Sequence, residues 1–467
     1  MFGGTVMIDD KRTIAALATP TGKGGIGIIR VSGVRALEMT QKHFFNPGGH
    51  RLETVESHRV YYGFIRDEQG RTLDEVLFIH MKAPRSYTAE DVVEIQSHSS
   101  PVVLRAILAL LIRNGVEPAE PGEFTKRAYL NGRIDLTQAE AVIDIINART
   151  ETSLDIALSQ IEGSLRSTIL DIRERLLGFQ ARVEAVIDFP DDVADILDPG
   201  ESSDLLQSIR DELTVLKKNH ENLRIFREGL RMVIAGPPNS GKSSLLNALL
   251  NREKAIVTPI PGTTRDLIED LILIDGIPIE ITDTAGIHQT ADLVEQIGIQ
   301  KTLEKIDSAD LLILMLDDSK TPGDSECESI SAVFESCRET KKVLVVANKC
   351  DLVSRKNHDS RIPEPDIRIS VRTRQNLDAL KTMIAGLILR DMPENRSAVV
   401  PNVRQYALIE EAIKSVGRID GGLETGLGHD LVAMDIRDCV HALDQVLGLT
   451  RGDDVLDRIF STFCIGK

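Results

Sequence analysis

The stretch Gly236-Pro-Pro-Asn-Ser-Gly-Lys-Ser243 decides the fold of the central part of this chain. It matches the phosphate-binding loop G-x-x-x-x-G-K-[ST], in which backbone N–H groups close around a phosphate chain and the lysine supplies positive charge. The apolar run Leu230 to Ala235 predicts the strand that enters the loop, and Ser244 to Leu250 predicts the helix that leaves it. This context favours a nucleotide-binding α/β domain.

Two further segments specify the nucleotide. Asp283-Thr-Ala-Gly286 and Asn348-Lys-Cys-Asp351 follow the loop in chain order, with predicted strands between them. The carboxylate of an Asn-Lys-x-Asp segment can accept both of the N–H donors that are specific to guanine. A phosphate-binding loop alone also occurs in ATPases, but the three segments in this order indicate a guanine-nucleotide site.

The motif positions predict a role for each residue of this site. Ser243 has the position whose hydroxyl binds Mg²⁺ in P-loop enzymes, and Thr264, in a switch-like run, is the second predicted magnesium ligand. Asp283 is expected to reach the metal through water, and Gly286 to donate its N–H to a γ-phosphate. The GTP-binding residues predicted from the motifs are Asn239, Ser240, Gly241, Lys242, Ser243, Ser244, Thr264, Asp283, Thr284, Ala285, Gly286, Asn348, Lys349, Asp351, Ser370, Val371 and Arg372.

The residues around the γ-phosphate position predict how hydrolysis proceeds. Ile287 follows Gly286, where Ras-like enzymes carry the glutamine that orients the attacking water, so another group must position water. Lys242 is the predicted charge-stabilising residue of the reaction. Asn239 lies inside the loop, where its side-chain carbonyl can ligate a monovalent cation beside the phosphates. An asparagine that only stabilises the loop fits this position equally well.

Composition bounds the remaining possibilities. A chain of 467 residues predicts two to four domains, and its net charge of −17 gives no overall basic field for nucleic acid. Any RNA contact must therefore come from a local patch or a partner. No apolar run reaches the roughly 20 residues that span a bilayer, and the five cysteines form no CxxC pair. We expect no membrane association and a reducing cytoplasm.

Hydrophobic periodicity divides the chain into four predicted segments. Residues 1–133 combine short β-prone runs with one apolar helix, whereas residues 134–227 carry apolar positions at helical spacing. Residues 228–392 alternate strands with helices, and residues 393–467 return to helix. Helical segments on both sides of the nucleotide domain predict one bundle into which that domain is inserted.

Three weaker patterns lie outside the nucleotide motifs. Gly22 to Gly27 matches the dinucleotide fingerprint G-x-G-x-x-G, but the following residues continue as a strand, so we reject that interpretation. The pair Lys126-Arg127 is typical of a solvated face. Cys464, close to the end of the chain, fits a buried small hydrophobe, a frayed tail, or a thiol delivered into a reaction site.

Several segments together resemble the bacterial MnmE (TrmE) family of tRNA modification GTPases over essentially the whole chain. The most specific are Gly24-Gly-Ile-Gly-Ile-Ile-Arg30, Ala89-Glu-Asp-Val-Val-Glu-Ile95, Pro121-Gly-Glu-Phe-Thr-Lys-Arg127, Leu130-Asn-Gly-Arg-Ile-Asp-Leu136 and Cys464-Ile-Gly-Lys467. The resemblance implies a multidomain α/β protein: an N-terminal α+β folate-binding-like domain, an all-α helical domain and an inserted Ras-like P-loop α/β G domain.

The resemblance also implies cofactors and further site residues. The implied cofactors are GTP, Mg²⁺, K⁺ and a 5-formyl- or 5,10-methylene-tetrahydrofolate. The implied potassium ligands are Asn239, Thr258, Ile260 and Thr263, and Thr258 and Thr263 thereby join the GTP-binding set. Glu295 matches the glutamate that orients or activates water, and Cys464 is a further implied catalytic residue. The implied folate contacts are Arg30, Glu94, Arg133 and Lys467, with Arg133 standing where other members carry lysine.

The resemblance finally implies partners. Members form a homodimer through the N-terminal domain and, with the FAD-dependent protein MnmG (GidA), a hetero-oligomer that modifies C5 of the wobble uridine of tRNA. A competing hypothesis is a GTP-switched ribosome-assembly or RNA-binding factor. That class usually appends a basic RNA-binding domain, whereas the C-terminal helical segment here is acidic.

Overall fold

The structure, a computed structural model, describes residues 12–20, 22, 24–189, 197–253, 270–283, 306–307, 309–352, 361–389, 399–450 and 452–467. Two sheets and several long helices in these ranges confirm the predicted multidomain α/β fold class. Within the same ranges, no helix is long and apolar enough to cross a membrane.

The N-terminal segment forms a seven-stranded sheet in the order β3-β4-β5-β6-β2-β1-β7. Its elements are β1 (Ile14–Leu17), β2 (Ile26–Ser32), α1 (Ala36–Gln41), β3 (Phe44–Phe45), β4 (Val60–Arg66), β5 (Thr72–Met81), β6 (Val92–His98), α2 (Pro101–Arg113), β7 (Glu117–Pro118) and α3 (Glu123–Leu130). Alternation along the strands buries one face, where Ile29, Phe78 and Ile95 join Ile107 of α2 in one core. The continuation of β2 as a strand confirms the rejection of the dinucleotide fingerprint.

Four helices follow. They are α4 (Leu136–Asn147), α5 (Glu151–Ile161), α6 (Ser164–Asp188) and α7 (Pro199–Glu228). Asp135 caps α4 by accepting hydrogen bonds from the backbone N–H groups of Thr137 and Gln138. The helix therefore begins at Leu136, three residues after Arg133. Pro199 stands in the first turn of α7, where its missing N–H costs nothing.

The central segment forms a six-stranded sheet in the order β13-β12-β11-β8-β10-β9. Its elements are β8 (Leu230–Ala235), α8 (Lys242–Glu253), β9 (Asp270–Ile274), β10 (Ile277–Asp283), β11 (Leu311–Asp317), α9 (Asp324–Cys337), β12 (Lys342–Asn348), β13 (Ile367–Arg368) and α10 (Leu377–Leu389). All neighbouring strands are parallel except β9 and β10, which form an antiparallel hairpin. The carboxyl ends of β8, β11 and β12 therefore meet at one edge, where α/β sheets bind ligands.

The chain then returns to helix, with α11 (Val403–Glu424), α12 (His429–Leu447) and α13 (Asp453–Phe460). Leu176 of α6, Leu213 of α7, Val416 of α11 and Leu443 of α12 are fully buried in one shared core. Helices from both sides of the nucleotide domain thus form one bundle, which confirms the predicted insertion. Within this bundle, α11 continues through Gly421 and Gly422 and ends at Glu424.

Candidate functional site

The phosphate-binding loop joins β8 to α8 through three residues in the left-handed region. Gly236, Asn239 and Gly241 have φ angles of 147°, 63° and 102°. A Cβ on Gly236 would lie 2.2 Å from the carbonyl oxygen of Met315, and a Cβ on Gly241 would lie 2.2 Å from Nδ2 of Asn348. Glycine is therefore required at both positions by backbone conformation and by close approach.

The interior of this loop suits an anion. Lys242 is buried, and its Nζ donates to the carbonyl oxygens of Gly236 at 2.9 Å and Pro237 at 3.0 Å. The fully buried hydroxyl of Ser240 has no hydrogen-bond partner among the described residues. An ammonium, an unsatisfied hydroxyl and the N-terminus of α8 converge here, and a phosphate chain would engage all three. The residues present therefore fit the phosphates of a nucleotide.

Asn348 connects the loop to the predicted base-binding segment. Its Nδ2 donates to the carbonyl oxygen of Ser240 at 2.8 Å, and its Oδ1 accepts from the backbone N–H of Val371 at 3.1 Å. One cavity of about 1060 Å³ runs along both segments. Its lining residues are Pro238, Asn239, Gly241, Lys242, Ser243, Ser244, Asn348, Lys349, Asp351, Leu352, Ser370, Val371 and Arg372.

Asp317, at the end of β11, supports this cavity and was missed by the sequence analysis. Its Oδ2 accepts from Nζ of Lys349 at 2.7 Å. Burial raises the pKa of Asp317, but hydrogen bonds from Lys349 and Ser319 outweigh burial and leave that pKa below its ordinary value. Asp317 is thus an anion at neutral pH and holds Lys349 in place. Its position at the carboxyl end of a buried strand was the available signal.

Part of the predicted site lies outside the described residues. These positions are Thr258, Ile260, Thr263, Thr264, Thr284, Ala285, Gly286 and Glu295. Asp283 ends β10, which pairs with β8, but its side chain is also outside the description. The magnesium, potassium and water-positioning roles assigned to these residues stay predictions.

A second polar cluster lies on the N-terminal sheet. Arg30 of β2 and Glu94 of β6 are register partners, and Nη2 of Arg30 lies 2.9 Å from Oε1 of Glu94. Both side chains are largely buried, at 14% and 16% exposed. Nη1 of Arg30 also donates to the carbonyl oxygen of Gly466 at 3.4 Å. The C-terminal tail thus lies against this sheet.

The tail contacts the N-terminal segment through its backbone. Gly122 donates its N–H to the carbonyl oxygen of Cys464 at 3.4 Å, and Ile465 forms an isolated bridge with Pro121. The side chain of Cys464 is exposed, so the predicted alternative of a buried hydrophobe is wrong. The backbone contacts of Cys464 and Ile465 do not fit the alternative of a frayed tail. Lys467 is half-buried, and burial, followed by the charge of Arg30, lowers its pKa.

Arg133 reaches the same cluster through Tyr87. Nη1 of Arg133 donates to the carbonyl oxygen of Tyr87 at 2.8 Å, and its guanidinium carbon lies 5.1 Å from the centre of the Tyr87 ring. The guanidinium carbon of Arg30 lies 4.9 Å from the same centre. The four predicted folate contacts therefore fall in one region, which also contains Tyr87, a residue that no motif marked.

Arg127 corrects the prediction of a solvated Lys126-Arg127 face. Arg127 is only 4% exposed, because it lies on the buried side of α3. Its Nη2 lies 2.9 Å from Oε1 of Glu123, and its Nη1 lies 3.1 Å from Oε2 of Glu90. Two carboxylates offset the cost of burying its charge. Lys126 stays partly exposed and pairs with Asp457.

Comparisons with known proteins identify the family of this chain. Residues 13–133 match the family described as GTP-binding protein TrmE N-terminus, and residues 136–464 match the MnmE helical domain. The tRNA modification GTPase MnmE of Acetivibrio thermocellus is 42% identical over 465 residues, covering 97% of this chain and 99% of that protein. The protein of the same name from Carboxydothermus hydrogenoformans is 42% identical over 468 residues, covering 99% and 100%.

Among solved structures, a variant of Era from Aquifex aeolicus bound to GDP.AlF4⁻ is 26% identical and covers 40% of this chain and 66% of its own. Its TM-score of 0.26 is low, so the assignment depends on the full-length relatives and the two family matches. The chain belongs to the MnmE family.

Proposed function

We propose that this chain is a GTP hydrolase that takes part in tRNA modification. The observation that carries the proposal is the single cavity lined by both the phosphate-binding loop and the segment from Asn348 to Asp351. The full-length relatives are named tRNA modification GTPases, which supports the same activity here.

The residues of the cavity divide the work on GTP. Lys242 and the N-terminus of α8 hold the phosphates, Asn348 fixes the loop, and Asp351 accepts hydrogen bonds from guanine. Ser243 and Thr264 would hold Mg²⁺, which supplies positive charge at the phosphate oxygens. The water nucleophile needs a group that orients it, and Glu295 is our candidate.

Base specificity tests the proposal. In Asp351→Asn, an amide N–H replaces one acceptor, so we expect GTP affinity to fall by roughly 10²-fold and xanthosine triphosphate to become the better substrate. Steady-state turnover of GTP and of xanthosine triphosphate measures this change in specificity. ATP is the control, because neither the wild type nor the variant should hydrolyse it. Unchanged GTP affinity in the variant would show that Asp351 does not read the base.

We also propose that K⁺ activates hydrolysis. Asn239 lies inside the phosphate-binding loop, with φ of 63°, and lines the cavity. With Thr258, Ile260 and Thr263 it offers oxygen ligands to a large monovalent ion. We expect slow turnover in sodium chloride, a large stimulation in potassium chloride, and no stimulation in Asn239→Ala. Equal rates of the wild type in the two salts would reject this part.

Glu295 has its own test. Because no glutamine follows Gly286, removal of the proposed water-positioning carboxylate should be costly. Glu295→Ala should slow turnover by ~10²-fold or more with little change in GTP affinity, as expected for loss of a positioned base. Unchanged turnover would direct attention to another carboxylate, such as Glu304.

The N-terminal cluster supports a second ligand. We propose that Arg30, Glu94, Arg133 and Lys467 bind 5-formyl- or 5,10-methylene-tetrahydrofolate, the one-carbon donor of the modification. A buried ion pair, an exposed arginine and a half-buried lysine present donors and an acceptor together. Such a set suits a ligand that has a hydrogen-bonding heterocycle at one end and carboxylates at the other.

The same sheet supports a homodimer. Val60 and Tyr62 of β4 and Leu77 of β5 are exposed on the sheet face opposite the buried core, and Tyr62 is the register partner of Leu77. An exposed apolar patch of this kind is typical of an interaction surface. We expect Tyr62→Lys combined with Leu77→Lys to convert dimers to monomers in analytical ultracentrifugation. Dimers that persist in this variant would place the interface elsewhere.

The remaining partner is a separate protein. We propose that a FAD-dependent MnmG (GidA) protein joins this chain in the cytoplasm, and that the complex modifies C5 of the wobble uridine of tRNA. Mass spectrometry of tRNA nucleosides from a strain that lacks this gene should show loss of that modification, and restoration by the wild-type gene. Intact modification together with a ribosome-assembly defect would favour the competing hypothesis.

A further inference from the structure

Tyr87 lies between two functional candidates of the N-terminal cluster. The guanidinium carbons of Arg30 and Arg133 lie 4.9 and 5.1 Å from the centre of its ring. A guanidinium within about 6 Å of an aromatic ring centre is attracted by the ring electrons. One ring therefore contacts two cationic groups, and it adds to the hydrogen bonds that each of them makes.

Both ends of Tyr87 are held in place. Its hydroxyl lies 2.9 Å from Oγ1 of Thr125, and its backbone carbonyl accepts from Nη1 of Arg133 at 2.8 Å. The next residue is fixed as well: Oγ1 of Thr88 lies 2.6 Å from Oγ of Ser32, and the carbonyl of Thr88 accepts from Asn131 at 2.8 Å. The ring thus has a defined position before any ligand binds.

The turn that carries Tyr87 is strained. Ala89 has φ of 60°, a conformation that costs a non-glycine residue roughly 1–2 kcal/mol. Such a conformation persists where the surroundings over-determine it. Here Glu90 accepts from Ser32 at 2.8 Å and pairs with the buried Arg127, which fixes the turn on its other side.

The two arginines differ in whether a carboxylate of the protein already binds them. Arg30 is already paired with Glu94. Arg133 is exposed, and the described residues give it no carboxylate partner. Arginine binds carboxylates through two parallel hydrogen bonds, so a pre-positioned Arg133 suits an anionic ligand group.

We propose that Tyr87 is a positioning residue that holds Arg133 in place to bind a carboxylate at the glutamate end of a tetrahydrofolate. This inference rests on the folate binding proposed above. The heterocyclic end of the ligand is uncharged, so the glutamate end is the part that an additional guanidinium recognises.

Two ligands separate this role from a merely structural one. Isothermal titration calorimetry of the full chain would compare 5-formyl-tetrahydrofolate with 5-formyl-tetrahydropteroate, which lacks the glutamate. We expect the wild type and Tyr87→Phe to prefer the glutamate form, because both keep the ring. Tyr87→Leu should bind the glutamate form roughly tenfold more weakly or worse, since a charge-assisted contact is lost, and should bind the pteroate form nearly as before.

The controls make each outcome decisive. Tyr61→Leu removes another tyrosine ring that lies beside an arginine, Arg59 at 5.7 Å, and should change neither affinity. Tyr87→Met has an unbranched side chain that adapts to irregular gaps, and it takes the place of Tyr87→Leu if that variant does not fold. A retained preference for the glutamate form in these variants overturns the proposal, and so does an equal loss for both ligands. A wild type that binds neither ligand would instead reject the proposed folate site.

Discussion

The nucleotide cavity and the N-terminal cluster are assembled in different ways. The cavity takes all its described lining residues from positions 238–372, at one edge of one sheet. The N-terminal cluster joins Arg30 to the carbonyl of Gly466, 436 positions later in the chain. The first site depends on short motifs with fixed backbone conformations, whereas the second depends on how a distant tail lies against a sheet. A substitution in one site should therefore impair the function of that site and leave the other site unchanged.

The largest expected effect is a loss of tRNA modification without a loss of GTP turnover, caused by a substitution in the C-terminal tail. Cys464→Ser should abolish tRNA modification while GTP turnover stays near that of the wild type, because the exposed thiol is lost and the backbone contacts of the tail remain. Nucleoside mass spectrometry and a turnover assay on the same protein measure both effects. Loss of both activities would show that Cys464 packs the fold and does not act in the reaction.

The reverse result, a loss of GTP turnover without a loss of folate binding, is expected for a substitution in the phosphate-binding loop. Lys242→Ala removes the buried ammonium beside the phosphates, so GTP turnover should fall by ~10³-fold or more. The affinity for 5-formyl-tetrahydrofolate should stay within about twofold of the wild type, since Lys242 follows a strand of the central sheet and the cluster lies on the N-terminal sheet. If the variant loses folate binding as well, the two sites are not independent.

The ease of predicting the two sites from sequence differs for the same reason. The strand Leu230–Ala235, the loop after it and the β9–β10 hairpin were predictable, because local periodicity and glycine positions specify them. Tyr87 was not predictable, because its role arises from contacts between elements far apart in the chain. Asp317 offered one signal, its position at the end of a buried strand, but its contact with Lys349 appears only in the fold. Arg127 was wrongly predicted as solvated, since its partner Glu90 precedes it by 37 residues.

A smaller effect is expected when the backbone of the C-terminal tail is loosened and Cys464 is left unchanged. Gly466 has φ of 93°, and a Cβ there would lie 2.2 Å from the carbonyl oxygen of Leu17. Gly466→Ala should therefore loosen the tail, weaken folate binding roughly tenfold, a loss comparable to one charge-assisted hydrogen bond, and leave GTP turnover unchanged. Gly452→Ala is the matched control, because Gly452 has no left-handed φ and its nearest contact is 3.7 Å away.

Calorimetry and hydrogen exchange of the tail amides measure the two effects of Gly466→Ala. Faster exchange with unchanged folate affinity would show that the tail is not part of the ligand site. Slow exchange as in the wild type would show that the sheet tolerates the added methyl group.

The smallest expected effect concerns the turn beneath Tyr87. Ala89→Gly relieves a left-handed conformation that costs roughly 1–2 kcal/mol, but it adds roughly 0.5–1 kcal/mol of backbone entropy to the unfolded chain. The net stabilisation of the turn should therefore be roughly 0.5–1 kcal/mol. Ala148→Gly is the matched control: Ala148 has φ of −57°, so only the entropy cost applies and the local stability should fall. Native-state hydrogen exchange of the neighbouring amides measures both changes.

Because the hydrogen bonds of Thr88 and Glu90 hold the turn independently of Ala89, folate affinity should change less than about twofold. A larger change in affinity would show that the strain at Ala89 itself contributes to how Tyr87 positions Arg133.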